Sequence, residues 1–132
     1  MNEVKIIAET PINPTEDPEK VRTAVENILP NAQYELKPRN HGQTLIAKAW
    51  GREALIKLKT LFRTERIRTA AKAQLMRGIE GKTLTFYLNK QAAYMNRISF
   101  SQPTAESPLG PIKLKILCDN PEALVNWLTA EI

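Results

Sequence analysis

Residues 82–88 read Lys-Thr-Leu-Thr-Phe-Tyr-Leu, and this alternation of polar and apolar side chains decides the fold class. Successive side chains of a β-strand point to opposite faces, so the segment predicts a strand with one buried face and an outer face that carries Tyr87. Residues 112–116 repeat the alternation, with Lys113 and Lys115 on the outer side. The two segments together predict a sheet that is apolar on one face and polar on the other.

Helices and further short strands are predicted around these two segments. Asp17-Pro18 starts a helix over 18–29, because Asp17 can accept a bond from a free backbone N–H and proline suits the first helical turn. A helical apolar period begins at Glu53, as one long helix or as two helices separated near Thr64. The other predicted elements are helices over 89–95 and from Asn120-Pro121, and strands over 3–9, 33–36, 45–50 and 97–101. This order predicts an α+β fold, a single domain over 1–132 with a mixed or antiparallel-rich sheet and helices packed mainly on one face.

Several local features carry expectations of their own. Pro11 is expected to lie in a turn after the first strand, and Gly78 is expected to end a helix in the left-handed conformation. Trp50 and Trp127 are expected in the core, and residues 102–111 form a Pro/Ser/Gly loop.

The residue types present argue against most catalytic and metal chemistry. The chain has one cysteine, Cys118, and one histidine, His41, so a zinc site built from these side chains is not expected. Cys118 lies in an apolar run and is expected to be a small buried core residue. No phosphate-binding glycine loop and no Gly-x-Ser-x-Gly motif occurs, so neither a cofactor nor a catalytic residue is predicted. The sequence therefore favours a protein that is not an enzyme.

The distribution of hydrophobic residues and the first residues of the chain concern its location. No apolar run approaches the ~20 residues that a membrane span requires. The chain starts Met1-Asn2-Glu3 and lacks the basic and apolar stretches of a signal peptide. We therefore expect a cytoplasmic protein with no membrane partner.

Charge is unevenly distributed along the chain. The net charge is +5, but residues 48–97 contain 12 Lys/Arg and 3 Asp/Glu, while the rest contains 7 and 11. A basic middle segment indicates an anionic partner such as RNA or another polyanion. Alternatively, the acidic ends fold against the basic segment and neutralise it.

The strongest concentration of positive charge falls on the predicted helical segment. Lys59, Arg63 and Arg66 recur at roughly helical spacing and share one face of a helix. Such side chains would contact phosphates without reading sequence, and Tyr87 on its outer strand face could stack on a base. The alternative is a solvated helix face, the usual fate of a run of charges.

Four stretches resemble an archaeal uncharacterised protein family, number two hundred and one in its naming series. They are RTERI (63–67), LMRGIEG (75–81), NKQAA (89–93) and ESPLGPIK (106–113), in matching order and spacing. The resemblance covers nearly the whole chain and implies an archaeal cytosolic protein with a ribosomal protein L5-like fold. Related domains with that fold include RNA binders, although a fold alone does not determine function. The resemblance implies no catalytic residue.

These stretches focus the functional hypothesis on a few residues. We expect Arg63, Arg66, Arg77, Lys90 and Gln91 to line one polar surface that holds phosphate, with guanidinium groups giving bidentate contacts. The leading hypothesis is a non-enzymatic RNA-binding or ribonucleoprotein-associated module that grips the RNA backbone.

Two other functions remain open at this stage. One is a protein-interaction module that forms a homodimer, in which the strand face carrying Thr83, Thr85 and Tyr87 becomes the interface. The other is a small enzyme that acts on a nucleotide, which the scarcity of acid and base residues makes the weakest hypothesis.

Overall fold

The computed structural model of the protein describes residues 3–101 and 110–130 and contains one six-stranded sheet. The strand order is β2-β3-β1-β6-β5-β4, and every pair of neighbours is antiparallel. The strands are β1 (Lys5–Ile12), β2 (Gln33–Pro38), β3 (Gln43–Trp50), β4 (Ile79–Glu80), β5 (Thr83–Leu88) and β6 (Ile112–Leu117). The α+β prediction is confirmed, with a sheet that is antiparallel throughout.

Helices pack on one face of this sheet. They are α1 (Pro18–Ile28), α2 (Ile56–Thr64), α3 (Arg68–Arg77), α4 (Lys90–Tyr94) and α5 (Pro121–Leu128), with a 3-10 turn at Arg52–Leu55 before α2. The strand residues beneath them, such as Ile6, Leu84 and Leu114, are fully buried. The predicted caps are confirmed, since Asp17 accepts a bond from the Glu19 N–H and Asn120 accepts one from the Ala123 N–H.

The other face of the sheet carries most of the strand lysines. Lys115 on β6 lies opposite Ile7 and Thr85, and Lys113 lies opposite Glu9 and Tyr87. These side chains are partly or fully exposed, so this face is open in the part of the chain that the structure describes. The alternation read from 82–88 and 112–116 therefore predicts both faces correctly.

Trp50 corrects the expectation that this residue belongs to the core. It is 52% exposed and lies on the open face, at the end of β3. Ala47 and Ala49 point into the core, so the two-residue period of a strand places Trp50 outward. The core position was predicted from the aromatic side chain of Trp50, and its place in the alternation of the strand was not considered.

The joints between elements also differ from expectation. β1 continues through Pro11, whose pairing is with Thr44 of β3, because β6 leaves β1 after Glu9. Proline is tolerated where a strand has a partner on one side only. Residues 97–101 contribute a single bridge, between Phe100 and Leu88, and no strand. The predicted loop over 102–111 lies outside the described residues except for Gly110 and Pro111.

Gly78 does not adopt the left-handed conformation, since its φ is −88°. Its carbonyl accepts a bond from the Thr85 N–H at 3.0 Å, and a Cβ at position 78 would lie 2.0 Å from the Thr85 oxygen. Glycine is therefore needed for close approach of the end of α3 to β5.

Candidate nucleic-acid interface

The junction between α2 and α3 is a fixed turn with Arg66 at its tip. Arg66 has φ +58°, a left-handed conformation that costs a side-chain-bearing residue roughly 1–2 kcal/mol. The turn is held by the Ile67 N–H, which donates to the Phe62 carbonyl at 3.2 Å. It is also held by Glu65, whose Oε2 accepts a bond from the Ile98 N–H at 2.8 Å. The predicted long helical segment is therefore two helices, and Arg66 is exposed between them.

Cationic side chains gather next to this junction and beside Trp127 of α5. The Arg52 Cζ lies 4.9 Å from the centre of the Trp127 ring, and the Lys59 Nζ lies 5.5 Å from it. Burial lowers the pKa of Lys59, and the nearby charges of Arg63 and Arg68 lower it further. We call Arg52, Lys59, Arg63, Arg66 and Arg68 the α2–α3 basic cluster.

No carboxylate neutralises this cluster among the residues that the structure describes. The ion pairs found in that part of the chain join Arg22 to Glu26 and Lys90 to Glu16. The Lys59 ammonium is enclosed yet has no hydrogen-bond partner there. Over 3–101 and 110–130 no ion pair joins an acidic residue to the cluster.

The amino end of α3 adds positive potential to the cluster. Ile67 occupies the position before the helix and provides no side-chain bond to the first turn. The first backbone N–H groups of a helix lack partners within it and carry the positive end of the helix dipole. Thr69 and Ala70 in this turn are exposed. Charged side chains and backbone N–H groups could therefore both bind a phosphate at this end of α3.

Arg77 and Tyr87 lie elsewhere, at a pocket on the edge of the sheet. Arg77 ends α3, about 14 Å along the helix from Arg68. Tyr87 projects from β5, and both residues line a pocket of about 660 Å³. The predicted residues thus separate into groups instead of forming one surface.

Lys90 and Gln91 form a third group, at the start of α4. Lys90 is only 5% exposed, and its ammonium donates to the Pro11 carbonyl at 2.7 Å and to the Glu16 carboxylate at 3.1 Å. The expectation that Lys90 belongs to one polar surface with the arginines is therefore corrected, because its charge is turned inward. Gln91 is exposed beside it.

Sequence reasoning missed parts of the α2–α3 basic cluster. Trp127 was expected in the core, but it is half-buried and lies between the core and the cations. Arg68 was absent from the predicted site although it lies in the same basic segment. Trp127 meets Arg52 and Lys59 because α5 packs against α2 and α3, and the sequence alone does not show this packing.

Other kinds of site find little support in the described ranges. Within 3–101 and 110–130 no group of three or more metal-binding side chains is close enough to hold an ion. None of the helices described there is long and apolar enough to cross a membrane. Cys118 is buried as expected, and burial raises the pKa of its thiol.

Comparison with known proteins agrees with these features. A family model described as RNA binding matches residues 5–117. The UPF0201 proteins of Sulfurisphaera tokodaii and Sulfolobus acidocaldarius are 39% and 38% identical to this chain over 125 residues, which cover 95% of this chain and 86% of each relative. The crystal structure of the UPF0201 protein from Methanococcus jannaschii has a TM-score of 0.84 and 32% identity, with 96% of this chain and 99% of that chain covered.

More distant structures share the fold alone. A DUF54 protein from Methanothermobacter thermautotrophicus has a TM-score of 0.60 at 20% identity, with 96% of each chain covered. The resemblance read from the four sequence stretches is thus confirmed over almost the whole length. The chain belongs to the UPF0201 family of archaeal proteins and to the family described as RNA binding.

Proposed function

We propose that this protein is a cytoplasmic, non-enzymatic module that binds the backbone of RNA through the α2–α3 basic cluster. The observation that carries the proposal is the cluster itself, in which no described carboxylate pairs with the cations. The family description as RNA binding supports RNA as the polyanion. The family and its relatives indicate no enzymatic class.

The chemistry of the cluster favours phosphate over bases. Guanidinium groups form paired hydrogen bonds with phosphate oxygens, and Arg63 and Arg66 are exposed for such contacts. The ring of Trp127 is covered by Arg52 and Lys59, so it is less available for stacking on a base. Phosphate contacts fix position but carry little sequence information. We therefore expect weak sequence preference.

Equilibrium binding to a single-stranded RNA at several salt concentrations tests the proposal. Each neutralised phosphate contributes about −0.7 to the slope of log affinity against log salt, so four or five contacts predict a slope of about −3. Fluorescence anisotropy at salt concentrations from about 50 to about 300 mM measures it. Absence of binding at the lowest salt would contradict the proposal, and a slope near zero would contradict a phosphate-dominated mode.

The homodimer remains a second candidate because part of the open sheet face is apolar. Trp50 and Leu117 are exposed there, on either side of Lys5 in the strand register. A second copy could cover this end of the face together with Thr83 and Tyr87. We expect the sedimentation coefficient to rise with protein concentration if it does, whereas a strict monomer would remove this candidate. Likeness to ribosomal protein L5 also stays a prediction.

A further inference from the structure

A polar pocket lies at the edge of β5, away from the α2–α3 basic cluster. It has a volume of about 660 Å³, within the ~300–1,000 Å³ typical of small-molecule sites. Arg77 from α3 and Lys115 from β6 line it, together with Glu80. The hydroxyl-bearing residues Thr83, Thr85, Tyr87 and Ser101 also line it. Its charged residues thus include one more cation than anions.

The pocket exists because two segments leave a gap along β5. At one end the Thr85 N–H donates to the Gly78 carbonyl at 3.0 Å, and at the other the Ser101 N–H donates to the Tyr87 carbonyl at 2.9 Å. Between these bonds no segment pairs with the strand in the described part of the chain. Residues 85 and 87 direct both their N–H and C=O groups to this edge, as alternate residues of an antiparallel strand do.

Two backbone groups therefore face the gap without a partner among the described residues. They are the Thr85 carbonyl and the Tyr87 N–H, an acceptor and a donor side by side on one strand. Gly78 approaches this carbonyl closely, since a Cβ there would lie 2.0 Å from the Thr85 oxygen, so a larger residue at position 78 would block the acceptor. An adjacent donor and acceptor match the edge of a nucleobase, which presents both within one plane.

The rest of the lining suits the other parts of a nucleotide. Arg77 is held toward Gln74, whose Oε1 accepts a bond from the Arg77 Nη1, and it is exposed at the end of α3. Lys115 supplies a second cation from the neighbouring strand. Phe100 stands against Phe86 with 6.2 Å between ring centres and lines the pocket with a partly exposed face. The pocket thus brings together groups that complement a phosphate, the edge of a base and an apolar ring surface.

We propose that this pocket binds a single nucleotide, with its phosphate at Arg77 and Lys115 and its base at the exposed edge of β5. The nucleotide is either free or an unpaired residue of an RNA strand, because both present the same phosphate and base. This inference goes beyond the proposed function, since the pocket shares no residue with the α2–α3 basic cluster.

Amide chemical shifts of the ¹⁵N-labelled protein test the proposal with adenosine monophosphate and with a short single-stranded RNA. Bound nucleotide should shift the amide signals of Tyr87, Gly78 and Ser101. Arg77→Gln and Lys115→Gln should each weaken the affinity by about tenfold, through loss of a charged phosphate contact. Lys72→Gln, which removes an exposed charge of α3 outside the pocket, should leave the affinity unchanged.

The two ligands distinguish the source of the nucleotide. Shifts with the mononucleotide indicate that a free nucleotide suffices, and shifts with RNA alone indicate a residue within a strand. Absence of these shifts with both ligands would overturn the proposal, as would equal affinities for the Arg77, Lys115 and Lys72 variants. Salt-dependent RNA binding without these shifts would leave the proposed function intact and remove the pocket alone.

Discussion

Replacement of both Arg63 and Arg66 by glutamate is expected to weaken RNA binding about 100-fold at 0.1 M salt. Each side chain would lose an attraction worth about 1 kcal/mol in water and gain a comparable repulsion, which makes about 4 kcal/mol for the two residues before screening. Screening by salt reduces this to the expected loss of about 100-fold. Both residues are exposed and make no ion pair among the described residues, so the melting temperature should hardly change. Anisotropy titrations with the same single-stranded RNA measure the loss.

A variant of equal net charge controls for the overall field of the protein. Lys20→Glu with Arg39→Glu reverses two exposed cations on α1 and at the tip of the β2–β3 hairpin. This control should weaken binding by less than about tenfold, since charges farther than the ~10 Å screening length contribute little. Equal losses in the two double variants would show that net charge, and not the α2–α3 basic cluster, controls binding.

The conformation of Arg66 permits a sharper separation of stability from binding. Glycine adopts positive φ at little cost, so Arg66→Gly should leave the free energy of unfolding unchanged or raise it by up to about 1 kcal/mol. RNA affinity should nevertheless fall, because one phosphate contact is removed. A residue that is unfavourable for folding and favourable for binding is typical of functional positions. Unchanged affinity in Arg66→Gly would assign Arg66 to the turn alone.

Most of the fold could be predicted because its signals are local. The alternation in 82–88 determined which face of β5 is buried, and Asp17 and Asn120 determined where α1 and α5 begin. The errors fall where a distant segment decides the outcome. Pro11 stays in β1 because β3 pairs with it after β6 has ended, and Gly78 is required by its contact with β5.

The candidate site could be predicted only in part, for the same reason. The charge of the segment containing Lys59, Arg63 and Arg66 is visible in the sequence, but its lack of ion-pair partners among the described residues depends on where Glu65 and Glu16 lie. Glu65 is engaged by the Ile98 N–H. Lys90 looked equivalent to the arginines in sequence, yet packing of α4 against the turn after β1 buries its ammonium.

The buried ion pair between Lys90 and Glu16 joins the start of α4 to the turn between β1 and α1. Both side chains are more than nine-tenths buried, and Glu16 also accepts bonds at 2.9 Å from the N–H and the side-chain amide of Asn13. Burial lowers the pKa of Lys90, while the bond to Glu16 opposes that shift. The Glu16 carboxylate therefore stabilises the charged form of Lys90 at a buried position where an isolated ammonium would be unfavourable.

Lys90→Met is expected to lower the free energy of unfolding by about 3 kcal/mol, because it leaves the buried Glu16 carboxylate without its counter-charge. For a chain of this length such a loss lowers the melting temperature by about 10 °C. Glu16→Leu alone should be costly for the converse reason, because it leaves the buried Lys90 ammonium without its counter-charge. The double variant Glu16→Leu with Lys90→Met removes both charges and should cost less than the sum of the single changes. Urea unfolding of the four proteins measures this cycle.

The same variants decide what Lys90 contributes to RNA binding. An ammonium directed at Glu16 and the Pro11 carbonyl cannot also contact a phosphate, so Lys90→Met should bind RNA with unchanged affinity at a temperature where it is folded. A loss of affinity comparable to that of Arg63→Glu would return Lys90 to the phosphate-binding surface. A loss of stability below about 1 kcal/mol, with additive effects in the cycle, would mean that solvent reaches the pair and that its burial is incomplete.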